Sequence, residues 1–427
     1  MFLLRFLPRV DDFSRRKSAL FKDLIAGITV AIVALPLALG FGITSDVSAK
    51  AGLTTAIIAG FIAALFGGSR YQVSGPTGAM TVVLIPVVHD YGVVALPILG
   101  VMSAVLVLVL AILKCGPIIN RVPWSVVEGF TVGIAVIIAM QQLPLALGVP
   151  KPQGDKTLSV AYKTVLNAVS GEIAFPTILI VLVTLFIKFS YPHFASRVGI
   201  KVHIPASFIA LLVATVSVKL FSIEIDLIGD IPRSVGSWTA PVLGTFSLKD
   251  LLIPAIWIAL LIAIESLLAA RVADGLAHAK AEEKFDPNRE LFGQGLATGV
   301  ASIFGGMPAT GAIARTSVNV RSHAQSRMAA IFHAVVLLFI ALVAAPLVES
   351  IPKAAIAGVL LGTSYRILNP ASIRESLRTT KAESFTLIVT ALATIAIDLI
   401  WGIAIGIALH LLLVNGRERM RSRHRSK

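Results

Sequence analysis

Apolar runs of roughly 20 residues, each long enough to cross a bilayer core, recur along the whole chain and alternate with short polar stretches. Hydropathy divides the sequence into about fourteen segments. The first set is 23–44, 52–67, 76–90, 92–113, 123–147, 173–190 and 203–221. The second is 251–279, 289–304, 310–322, 327–348, 352–366, 382–398 and 400–415. The pattern predicts an all-α integral membrane protein with a cytoplasmic N-terminal segment (1–22) and a first seven-segment repeat (23–221). An extracellular connecting loop (222–250), a second seven-segment repeat (251–415) and a basic cytoplasmic tail (416–427) follow.

Two polar interruptions break this pattern. "QVSGPTGAM" (72–80) and "GGMPATGAIARTS" (305–317) stand between greasy stretches, each at the third, short segment of its set. "ALFGG" (64–68) precedes the first and "SIFGG" (302–306) the second. Matching interrupted segments in two halves are the sequence pointer to an inverted-repeat transporter and its binding site. An odd number of spans per repeat forces the second repeat to insert upside down.

The physical reason lies in the backbone. Unpaired peptide groups in hydrocarbon cost several kcal/mol each, so irregular chain at membrane depth survives only beside a protein-lined cavity. A half-helix starting at Pro76 or near Thr310 leaves its first N–H groups free, and these with the helix dipole make an anion site. Inverted repeats would set the two helix starts face to face at the midplane, with Gly75, Thr77, Gly78, Thr310, Gly311 and Ala312 lining one anion pocket. The competing reading, that Gly and Pro merely kink spanning helices, is weakened by the two matched occurrences. Arg315 lies about one helical turn into the second short segment. A cation at membrane depth normally faces a cavity or a partner, so it is expected at the same site. Glu265 in "IAIESLLAA" sits mid-span among aliphatic residues, which suits a group that takes up and releases a proton.

Composition narrows the class. The chain is 56% hydrophobic and 14% charged, with a mean hydropathy of +0.88, which excludes a soluble globular protein. "MFLLRFLPRVDDFSRRKS" is a greasy patch broken by arginines, with no cleavable signal peptide visible. The net charge of +14 lacks a solvated basic domain, so nucleic acid is not expected as a partner. Its basic residues instead lie in short loops and in "NGRERMRSRHRSK", a topology signal with some attraction to anionic membrane lipid. Both termini are expected in the cytoplasm of a multi-pass protein of the inner (cytoplasmic) membrane. That places Lys114, Arg121, Arg197, Lys201, Lys280 through Arg289, Arg321, Arg327 and Arg374 through Lys381 inside. Glu224, Asp226, Asp230 and Glu349 fall outside. Lys151, Lys156 and Lys163, in an outside loop, are the exceptions. The single Cys115 excludes an internal disulfide, and the eight histidines show no ligand spacing, so no metal and no cofactor is assigned. No Walker A, dinucleotide or GxSxG pattern points to an enzyme.

"DLIAGITVAIVALPLALGFGI", "GGSRYQVSGPTGAM", "AIESLLAARVADG" and "GGMPATGAIARTSVNVRS" resemble the signature stretches of the sulfate permease (SulP) family, and the likeness covers essentially the whole chain. That family includes sulfate permeases, cyanobacterial bicarbonate transporters, bacterial C4-dicarboxylate carriers and the motor protein prestin. The resemblance implies fourteen spans in two inverted seven-helix repeats, a core domain moving against a gate domain, and a homodimer. Members typically carry a cytoplasmic STAS domain after the last span; the sequence stops at Lys427, so the expectation is a membrane domain without it.

The resemblance also implies roles. Arg315 matches the arginine that supplies positive potential at the anion site. Phe41 matches the aromatic that walls the pocket, and Leu37 stands where sulfate-type members have glutamine. Glu265 matches the acid that bicarbonate relatives use for sodium. Those relatives place a hydroxyl one turn later, where this chain has Ala269, which favours a proton or exchange over sodium. Glu128 and Asp398 are weaker candidates near the predicted interfaces. The expected function is secondary active transport of sulfate, bicarbonate or a similar small anion, by proton-coupled symport or exchange. A C4-dicarboxylate carrier or an anion channel on the same fold is the alternative. A nucleobase carrier would want carboxylates at its third and tenth helices, where this chain has Arg315 and neutral residues.

Overall fold

The computed structural model describes all residues except 1–2, 14–15, 155, 173, 200–203, 230, 232–235, 241–245, 369, 398 and 426–427. Asp398, Asp230 and Lys201 therefore lie outside the described residues. Every expected segment contains a helix. In the first half these are α1 (Lys17–Thr44), α2 (Ala49–Phe66), α3 (Gly78–Tyr91), α4 (Leu96–Ile112), α5 (Trp124–Gln141), α6 (Phe175–Val198) and α7 (Ala206–Leu220). In the second they are α8 (Leu248–Leu276), α9 (Pro287–Ile303), α10 (Ile313–Arg321), α11 (Met328–Val343), α12 (Lys353–Leu368), α13 (Lys381–Ala396) and α14 (Leu399–Arg425). Among the described residues, six helical stretches are long and apolar enough to cross a membrane, and four shorter ones are strongly apolar.

Local sequence sets many boundaries. Ser48 caps α2 by accepting from the Ala51 N–H at 3.0 Å. Asp286 caps α9, accepting from Asn288 and Arg289 N–H groups at 2.9 and 3.2 Å, with Pro287 at the position where a missing N–H costs nothing. Asp250 returns a bond to the Ser247 N–H at the start of α8. The outside loop expected around Lys151 contains a further helix, Thr157–Asn167, and Lys151 itself pairs with Asp46 just beyond α1.

Helices α1, α2, α4, α8, α9, α10 and α11 pack as one group, and α5, α6, α7, α12, α13 and α14 as another. Helix α1 also touches α12 and α7, while α3 lies between α5 and α8. One apolar cluster joins α1 to α12 through residues such as Leu39, Ile356 and Leu360. A second joins α3, α4, α5 and α8 through Met80, Leu99, Phe130 and Ile258. Facing outward are large apolar side chains, among them Phe186 on α6 and Leu212 on α7, as expected where lipid is the solvent.

The short helices begin later than the sequence suggests: α3 at Gly78 rather than Pro76, and α10 at Ile313 rather than near Thr310. The intervening residues are extended and pair with each other. Strand β1 (Ser74–Gly75) runs antiparallel to β2 (Thr310–Gly311), with Ser74 opposite Gly311 and Gly75 opposite Thr310. Beyond the pair, the Ala312 N–H donates to the Val73 carbonyl at 3.0 Å. Each break thus supplies hydrogen-bond partners for the other, which answers the cost of irregular backbone at this depth.

Candidate functional site

The strand pair delivers two threonines to one carboxylate. Thr77 caps α3 and Thr310 sits in β2, and both hydroxyls donate to Glu265 Oε2, at 3.0 and 2.8 Å. The two hydroxyls lie 3.3 Å apart. Glu265 comes from the middle of α8, and its neighbour Ser266 accepts from the Gly311 N–H at 3.0 Å. One helix therefore holds both breaks through consecutive polar residues.

Arg315, the third residue of α10, is 1% exposed. Its Nη2 donates to the Pro76 carbonyl, so a side chain of the second break grips the backbone of the first. Its Nε and Nη1 have no hydrogen-bond partner among the described residues, and its charge interacts with that of Glu265. Glu265 bonds to the threonines, and Arg271, further along α8, donates to the Asn120 carbonyl at 2.8 Å.

Phe41 and Leu37, on one face of α1, are both buried. A side-chain carbon built at Gly78 would lie 3.2 Å from Phe41 Cε1 and 2.3 Å from Ile138 Cδ1 of α5, so Phe41 and Ile138 close over the start of α3. Gly75 and Gly311 make room for protein rather than open space. A carbon added at Gly75 (φ +156°) would fall 2.2 Å from Arg315 Nη1, and one at Gly311 1.7 Å from Gln72 Nε2. Ala312 is buried at the cap of α10. Glu128 lies away from this group and accepts from the Ser376 hydroxyl.

Chemically, the arrangement sets one guanidinium, one carboxylate and two helix starts around a single point. The first N–H groups of α3 and α10 have no intrahelical acceptor, and both helix dipoles direct positive potential there. A small anion with oxygen atoms suits the donors, and the Glu265 oxygens with two hydroxyls can carry a proton or a hard cation.

The family model described as the sulfate permease family matches residues 20–390. The chain belongs to the sulfate permease family. YvdB of Bacillus subtilis (strain 168) is 37% identical over 413 residues, 95% of this chain and 75% of that protein. The bicarbonate transporter BicA of Picosynechococcus sp. (strain ATCC 27264 / PCC 7002 / PR-6) is 32% identical over 400 residues, 90% of this chain and 68% of its own. The solved transmembrane domain of a cyanobacterium bicarbonate transporter BicA superimposes with a TM-score of 0.81 at 30% identity, covering 91% of this chain and 98% of that one. The murine Slc26a9 anion transporter in the inward-facing state shares the fold at a TM-score of 0.84 and 18% identity, over 97% of this chain and 72% of that chain. The sulfate permease fold thus extends over nearly the whole sequence, and the protein is a multi-pass membrane protein.

Sequence reasoning missed the supports of this cluster. Gln294 of α9 donates to the Ser74 hydroxyl at 2.6 Å and to Glu290 Oε1 at 2.8 Å, holding β1 from behind. Glu290 Oε2 in turn accepts from the Gly68 and Ser69 N–H groups at 2.7 and 2.8 Å, fixing the turn before the break. The available signal was polar residues on an apolar helix four apart, Glu290 and Gln294, on one face of α9.

Proposed function

We propose that this protein is a secondary active transporter that carries small inorganic anions, sulfate, bicarbonate or similar, across the cytoplasmic membrane by alternating access. Transport is coupled to a proton or proceeds by anion exchange. The observation that carries the reading is the convergence of both breaks on Glu265, with Arg315 reaching from the second break to Pro76 of the first. In this reading Phe41, Gly75, Thr77, Gly78, Thr310, Gly311, Ala312 and Arg315 form the anion site, and Glu265 carries the coupling charge. Because both breaks meet at Glu265, a change in its charge is felt at both helix starts, which links the two fluxes. Kinship to BicA and to YvdB, which bears a sulfate-transporter name, keeps both anions in view. The helices from 23 to 221 and from 251 to 415 act as the two inverted repeats, with both termini cytoplasmic and two copies forming the working dimer.

Ala269 adds no hydroxyl beside Glu265, but Thr77 and Thr310 supply two, so sodium remains an arm of the test. Uptake of labelled sulfate and labelled bicarbonate into proteoliposomes, with chloride and succinate as competitors, under separate proton and sodium gradients, tests the proposal. Saturable uptake, exchange of trapped label and a response to one gradient are expected. Glu265→Gln should abolish that response while leaving exchange. Flux that neither saturates nor exchanges would make the protein a channel, and a gradient response surviving in Glu265→Gln would remove Glu265 from coupling.

A further inference from the structure

Around the strand pair lie buried polar atoms to which the proposed mechanism gives no partner. His333 of α11 is fully buried, and neither ring nitrogen has a hydrogen-bond partner among the described residues. Gln72, just before β1, is 6% exposed with both amide atoms unpartnered. Arg315 adds Nε and Nη1, and Asn319, one turn further along α10, adds Oδ1. Asn319 is anchored by its other amide atom, which donates to the Tyr71 carbonyl at 2.8 Å.

Three glycines locate these tips, those of Arg315 and His333 against α2 and that of Gln72 on the other face of the ladder. A carbon added at Gly75 would be 2.2 Å from Arg315 Nη1 and 3.3 Å from Ala56 Cα on α2. One added at Gly60, the next turn of α2, would be 3.4 Å from the Ser74 carbonyl oxygen and 3.5 Å from His333 Cε1 and Nδ1. One added at Gly311, opposite Ser74, would be 1.7 Å from Gln72 Nε2. Arg315 and His333 thus place polar tips against consecutive turns of α2, at Ala56 and Gly60, where glycines leave space.

Polar groups at membrane depth without partners cost several kcal/mol each. Two donors on Arg315 and an imidazole that offers one donor and one acceptor make a mixed set that suits water, which both donates and accepts. We propose that Arg315 and His333 flank a hydrated site between α2 and the strand pair, in which bound water links His333 to Arg315. His333 is then a positioning residue that keeps the guanidinium seated at Gly75–Pro76. This rests on Arg315 serving the anion, as proposed above.

The deciding variant is His333→Leu, which fills the volume and removes the hydrogen bonds. If His333 merely fills space, exchanging an unpartnered imidazole for an apolar side chain leaves KM unchanged and stabilises the fold. If it positions Arg315, KM for labelled sulfate or bicarbonate rises about tenfold with the maximal rate kept, a difference of one lost hydrogen-bonded support. His333→Gln, which can still bond water, restores most of that loss. In an Arg315→Gln background, His333→Leu has no further effect, because there is no guanidinium left to position. Unchanged KM in His333→Leu alongside a crippled Arg315→Gln overturns this inference and leaves the anion reading standing. Unchanged KM in Arg315→Gln overturns the anion reading itself. Should His333→Leu fail to fold, His333→Met is expected to give the same rise. An experimental map of the unaltered protein that resolves ordered water must show density between His333 and Arg315; a dry contact there overturns the inference whatever anion is carried.

Discussion

At the first break Thr77 caps α3 with its own hydroxyl, accepting from the Met80 N–H at 3.4 Å; at the second, Ala312 holds the same position in α10 and caps nothing. The first break carries no charge and offers a carbonyl, that of Pro76. The second carries Arg315, whose guanidinium takes that carbonyl. Their threonines differ as well. Thr77 both caps a helix and binds Glu265, whereas Thr310 lies in the strand, binds Glu265 and the Thr77 hydroxyl, and caps nothing. Two matched sequence features thus became unequal halves: one supplies the framework and the other supplies the cation. A duplicated fold needs only one full positive charge at a shared site, because each side chain reaches across the pairing.

The largest expected effect removes that cation. Arg315→Gln should weaken anion binding about a hundredfold, since a unit pair about 5 Å apart at an effective dielectric near 20 is worth roughly 3 kcal/mol. Substrate affinity in folded, detergent-purified protein measures it. The first break has no residue whose loss should match this; an equal effect from any neutral change there that leaves Arg315 in place would break the asymmetry.

Next come the glycines. Gly75→Ala pushes against Arg315 Nη1 and should mimic part of the Arg315→Gln loss, roughly tenfold in KM. Gly311→Ala pushes against neutral Gln72 and should cost less. Equal losses would show that the two strands contribute alike.

Smaller still is the threonine pair. Thr77→Val loses a cap as well as a bond to Glu265, so its destabilisation should exceed that of Thr310→Val by about 1 kcal/mol. Thermal unfolding of both variants under identical detergent conditions compares them, and an equal loss would deny Thr77 its capping role.

The smallest effect lies where the N-terminal segment meets the starts of α9 and α11. Asp12 receives Arg289 Nη1 at 3.0 Å and Nη2 at 2.5 Å, with Arg327 Nη2 at 3.5 Å. Burial acts to raise its pKa, but the Arg289 bonds, the Arg9 N–H and the charges of both arginines outweigh it and hold the carboxyl below its ordinary value. A depressed carboxylate contributes stability that is complete above its unfolded value of about 3.9 and is lost as pH falls through the folded one. Docking of residues 3–13 should therefore be constant near neutrality and released only in strong acid, as read by protease cleavage of the N-terminal segment. Asp12→Asn should release it at pH 7, and a release midpoint above pH 5 in the unaltered protein would contradict the assignment.

Membrane class, segment positions and the two breaks were legible in the residues alone, because each follows from a local free energy. Transfer of an apolar run into hydrocarbon depends on about 20 consecutive residues, and a Gly-Pro-Thr-Gly stretch announces irregular backbone wherever it stands. Thr77, Thr310, Glu265 and Arg315, which the structure brings together, could be named as well, the threonines from the breaks and the charged pair because charge is costly in such surroundings. Their partnerships could not be read this way. Thr77 meets Glu265 across 188 positions, Arg315 meets Pro76 across 239 and Gln294 meets Ser74 across 220. Sequence spacing carries no information about contacts over such separations. The helix starts, expected at Pro76 and Thr310, moved inward because the breaks found each other as strands, an outcome set by antiparallel pairing between two halves. The tertiary structure alone decided which half holds the charge in place and which half accepts it: a hydrogen bond depends on where two atoms meet in space, and a residue's own preferences are silent on that.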